Sequence, residues 1–98
     1  MAEKELVQVL NKQIDIGLSE TLSMEELQKK LSIHINDLIQ NDFQKLVFIL
    51  YKVDVDEAKL KNILKEKAEE DAADIIAGLI IDREIQKIKT RKEFGHGK

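Results

Sequence analysis

Arg83, Lys87 and Arg91 recur every fourth residue, a spacing that puts three cations on one face of a helix. Five basic residues lie between Arg83 and Glu93, against Glu84 and Glu93 as the only acids. The chemistry open to such a face is anion binding, either nucleic acid or an acidic partner. The ordinary account is that cations near a helix C-terminus complement its dipole. It is favoured here because the chain carries a formal net charge of -3 and places no aromatic residue among these cations.

On the same segment Ile81, Ile85 and Ile88 continue an apolar stripe beyond the point where one small core would be expected to cover it. This stripe is the candidate interface, and it points to self-association, a homodimer formed by two last helices across a two-fold axis. The leading expectation is therefore a non-enzymatic helical interaction or assembly module with a protein partner or itself. The alternative is a nucleic-acid-binding module using the Arg83, Lys87 and Arg91 face.

Other chemistries find little footing. Asp54-Val55-Asp56 could open a calcium loop, but Lys59 and Lys65 stand where an EF-hand needs Gly and Glu. His34 and His96 are the two histidines; four residues on from His34 stands Leu38, which cannot ligate, and His96 lies in the tail, so neither is expected to make a metal site with its neighbours. There is no Cys, which rules out disulfides, cysteine-zinc sites and thiol catalysis. Gly17, Gly78, Gly95 and Gly97 form no phosphate loop, and Ser19, Ser23 and Ser32 lack any nucleophile motif. No catalytic residue, cofactor or metal site is expected.

The elements that would position these residues are all helices. With no Pro and 36% charged residues, the chain can run helices without interruption. Helix one is expected from Glu3 to about Ile16 on Leu6, Val7, Leu10 and Ile14, with Gly17 as a left-handed stop. Ser23 and Glu26 form a capping box for the second helix, with Leu22 and Leu27 placed as a hydrophobic staple. Leu27, Leu31, Ile35, Leu38 and Ile39 hold its face until Asp42 interrupts it, so a break is expected near Asn41, with a fresh cap in Asn41-Asp42-Phe43-Gln44. Phe43 to Val53 contains the run Leu46 to Tyr51, apolar on every side, and reads as a central, buried helix. Asp54 is expected to cap a short helix through Leu60, Ile63 and Leu64, with Glu57 at its third position. Lys65 to Glu70 reads as a loop. Asp71 opens the last helix, in which Gly78 is expected to permit a close helix approach and whose far end leaves the core as an amphipathic arm.

These readings give an all-α fold, a compact bundle of four to five helices in one domain over residues 1–94, with a disordered tail at 95–98. The charged N-terminus lacks the apolar region of a signal peptide, and no run approaches the ~20 apolar residues of a membrane span, so a cytoplasmic protein is expected.

The residues Asp42-Phe43, Leu46-Val47, Ile49 to Val55 and Leu60, followed by Ala72-Ala73, Ile75 to Ala77, Leu79-Ile80, Arg83 and Lys87 to Arg91, resemble a group of short uncharacterised bacterial proteins. The likeness covers about the C-terminal half and consists of helix-packing residues. It implies an all-helical bacterial cytosolic protein and carries no activity or site residue with it.

Overall fold

The computed structural model describes residues 4–14, 16–66 and 71–95. It contains five helices and, among the described residues, no strand: α1 (Lys4–Ile14), α2 (Met24–Asn41), α3 (Phe43–Val53), α4 (Glu57–Glu66) and α5 (Ala72–Gly95). The all-α bundle expected from the sequence is what forms. Residues 1–3, 15, 67–70 and 96–98 lie outside the described residues, and with them the Glu3 start of helix one, most of the expected loop and the tail beyond Gly95.

Each junction has a local cause. α1 buries Leu6, Val7, Leu10 and Ile14 on one stripe. After it Gly17 takes φ +70°, a left-handed conformation that costs glycine little. The Asn11 side chain then holds the returning chain, donating to the Leu18 carbonyl at 2.9 Å and accepting from the Leu18 N–H. At the start of α2 the Glu26 N–H donates to Ser23 Oγ at 3.1 Å and the Ser23 N–H donates to Glu26 Oε1 at 3.2 Å, a complete capping box. The Ser23 backbone bond holds the exposed Glu26 carboxyl below its usual range. Leu22 and Leu27 are both buried beside it, as the staple requires. Replacing Ser23 by Ala should lower stability by about 1 kcal/mol. Unchanged chemical denaturation would mean that the cap carries no weight.

The break between α2 and α3 falls at Asp42, which serves both helices. Its N–H donates to the Leu38 carbonyl at 2.8 Å, closing α2, while its side chain accepts from the Lys45 N–H at 3.2 Å, opening α3. At the other end of α3 the expectation needs correcting. Asp54 does not cap α4; it closes α3 in the left-handed region, φ 65°. The residue that opens α4 is Asp56, whose side chain accepts from the Ala58 N–H at 2.9 Å. Two aspartates two residues apart offer the same cap, and backbone geometry gives it to the second. α4 then runs as helix to Glu66, into the segment expected to be a loop. Asp71 opens α5 as expected, accepting from the Ala73 N–H at 3.0 Å.

α5 is the central element. It packs chiefly on α2 and also touches α1, α3 and α4. Its buried stripe, Ala73, Ile76, Ala77, Ile80 and Ile81, meets Leu27, Leu31 and Ile35 of α2 in one core. The core continues with Ile88, so the far end of α5 is not a free arm. It lies along α1, and Lys92 pairs with Glu5 at 3.4 Å. Gly78 is not what lets the helices approach: a Cβ there would meet only the Gln28 side chain, at an ordinary 3.6 Å. α3, expected to be central, is half-buried. Leu46, Ile49 and Val53 face the core, whereas Phe43, Val47, Phe48 and Tyr51 face outward. Among the described residues, no helix is long and apolar enough to cross a membrane.

Candidate functional site

Two surface features gather the residues best placed to bind a ligand or a partner. The first is a groove of about 540 Å³ between α1 and α5. α1 contributes Val9, Lys12 and Gln13, which share a face by i, i+3, i+4 spacing. α5 contributes Arg83, Glu84, Lys87, Thr90 and Arg91 from the face next to its buried stripe. All three cations singled out by spacing therefore converge on one concave site, and α1 adds a fourth. Lys12 gives no sign of this role in sequence, because nothing local to it identifies α5 as its neighbour.

The four cations differ in how they are held. Arg83 is clamped: its Nε donates to the Asp54 carbonyl at 3.1 Å, its Nη2 to Asp54 Oδ2 at 3.1 Å and its Nη1 to Gln86 at 3.1 Å. The guanidinium thus secures the left-handed turn that ends α3. Lys87 donates to Glu84 Oε1 at 3.3 Å. Glu84 is 1% exposed, the buried acid of the core, and it occupies a position that the Ile81–Ile88 stripe would give to an apolar residue. Lys12 and Arg91 are exposed and bonded to no carboxylate among the described residues. Thr90 lines the same mouth.

The second feature is the outer face of α3. Phe43, Val47, Phe48 and Tyr51 follow i, i+4, i+5 and i+8, and their exposures are 60%, 50%, 61% and 84%. Lys52 Nζ stands 5.7 Å from the centre of the Phe48 ring, within cation–π range. The sequence shows that the run Leu46 to Tyr51 is apolar all round but not which side stays outside.

The candidate interface is placed otherwise than expected. Ile81 and Ile88 are buried at 4% and 3% exposure, and Ile85 is partly buried against the same core. α1 covers the stripe within a single chain, so it offers no seam to a second copy. No family model, no curated protein and no solved structure matches this chain.

Proposed function

We propose that this chain is a non-enzymatic helical assembly module, and that its docking surface is the outer face of α3, occupied by a second copy of itself. The observation that carries the reading is the exposed quartet Phe43, Val47, Phe48 and Tyr51. It gathers three of the four aromatic residues of the chain. Together the four side chains expose on the order of 500 Å² of largely apolar surface, at the size where a patch on a monomer marks an interaction site. Aromatic residues are also what protein interfaces enrich.

Self-association is favoured by how the ends of this face match. In a two-fold packing with antiparallel α3 helices, the axis passes between Val47 and Phe48. Residue numbers across it then complement one another, so that Lys52 of one copy meets the Asp42 end of the other. The helix dipoles oppose, and the aromatic side chains interleave at the centre. Light scattering over a concentration series is expected to give a dimer for the native chain. Phe48→Glu, at an exposed position, should give a monomer with unchanged helical circular dichroism. A native chain that stays monomeric at its highest soluble concentration overturns this reading.

A second reading, nucleic-acid binding through α5, draws on the convergence of Arg83, Lys87 and Arg91 in one groove. It is the weaker one. Arg83 and Lys87 are engaged by Asp54 and Glu84, and nucleic-acid backbones are held by many phosphate contacts at once.

A further inference from the structure

The groove between α1 and α5 is made of different residues from the α3 face and calls for a different ligand. We infer that it binds a small molecule bearing a phosphate or diphosphate group, held between Lys12 on one wall and Thr90 and Arg91 on the other. Three observations carry this. First, among the described residues the lining has four cations, Lys12, Arg83, Lys87 and Arg91, and one carboxylate, Glu84, in a chain whose formal net charge is -3. A concave site opposite in sign to its own chain concentrates anions. Second, the donors come from two walls. Lys12 and Gln13 project from α1, while Lys87, Thr90 and Arg91 project from α5. A phosphate takes donors from several directions, and a guanidinium meets two of its oxygens in parallel. Third, the cations divide into fixed and uncommitted ones. Arg83 is tied to Asp54 and Gln86, and Lys87 to the buried Glu84, so both charges are set before any ligand arrives. Lys12 and Arg91 are bonded to no carboxylate among the described residues and are the groups an anion would engage.

Size separates a small phosphate compound from a polymer. The groove volume of about 540 Å³ falls in the range of small-molecule sites, roughly 300–1,000 Å³. With two cations uncommitted among the described residues, the site lacks the six to ten or so phosphate contacts that give a nucleic-acid binder its strong salt dependence. Val9, partly buried on the α1 wall, is the apolar contact available to the organic part of such a ligand.

The test uses the full chain and inorganic pyrophosphate as probe, titrated at low salt and followed by phosphorus NMR and calorimetry, with a single-stranded oligonucleotide in a parallel arm. Saturable pyrophosphate binding is expected. Lys12→Ala and Arg91→Ala should each weaken it roughly tenfold, the effect of removing one charge-assisted contact. Both positions are exposed, so circular dichroism should be unchanged, and Arg91→Lys should keep part of the affinity. The inference is overturned by an absence of pyrophosphate binding, or by binding that the two alanine variants leave unaltered. It is equally overturned if the oligonucleotide binds more tightly than pyrophosphate with a steep salt dependence, which would return the groove to the nucleic-acid reading.

Discussion

Ile88→Glu is expected to unfold the chain instead of loosening an assembly. Ile88 is 3% exposed and lies on the stripe of α5 that α1 covers. Losing a buried Ile side chain costs about 2–5 kcal/mol on its own. Placing a carboxylate in that buried space adds several kcal/mol more. A domain of this size has a total stability of about 5–15 kcal/mol, so the sum removes most or all of it. Circular dichroism in native buffer should show lost helix, and proteolysis should be rapid. If the variant instead remains folded and changes only its sizing profile, then Ile88 is surface and the packing of α5 on α1 is wrong. The contrast with Phe48→Glu is the useful one. The same substitution, apolar to Glu, should destroy the fold on α5 and leave it intact on α3.

The second large effect is expected at Lys87. Its side chain is 28% exposed and meets Glu84, whose side chain is 2% exposed, at 3.3 Å. Lys87→Met keeps most of the packing volume but leaves a carboxylate in the core without its cation. Breaking a buried pair in this way costs about 3–5 kcal/mol, and the lower end applies because Lys87 reaches solvent. The double variant Glu84→Leu with Lys87→Met should recover most of that loss, since an apolar pair of similar volume often equals a buried ion pair. Chemical denaturation of the native chain, the single variant and the double variant forms the test. A double variant as unstable as the single one would show that the pair does more than balance its own charge.

How much of this could be read from the sequence depends on the range of the interaction. The Ser23–Glu26 box, the left-handed Gly17, the break beside Asp42 and the Asp71 start of α5 are set by residues within a few positions of one another, and pattern reading finds them. The assignment of the cap at Asp54 missed by two residues because Asp54 and Asp56 are chemically equivalent. What separates them is the left-handed backbone at Asp54 and the distant Arg83 that clamps it. The Ile81, Ile85 and Ile88 stripe was visible as a stripe. Its partner was not, because covering it requires α1 to return across α5, a contact between opposite ends of the chain. The three groove cations on α5 follow from a four-residue period. Lys12, which completes the groove, is placed there by the same long-range packing.

α3 has one more consequence, for uniqueness of the folded state. Its core side, Leu46, Ile49 and Val53, and its outer side, Phe43, Val47, Phe48 and Tyr51, are both apolar. Turning this helix about its own axis would trade one set for the other with little change in buried apolar area, so hydrophobicity alone does not select the native orientation. The selection falls to polar groups at the two ends. Asp42 joins α3 to α2 through one residue, and Asp54 is locked by Arg83. Along this helix the energy gap to a competing minimum is set by its termini. The middle of α3 should therefore tolerate exchange among apolar residues, while changes at Asp42, Asp54 or Arg83 should let the helix sample alternative rotations and blur a single native state into several.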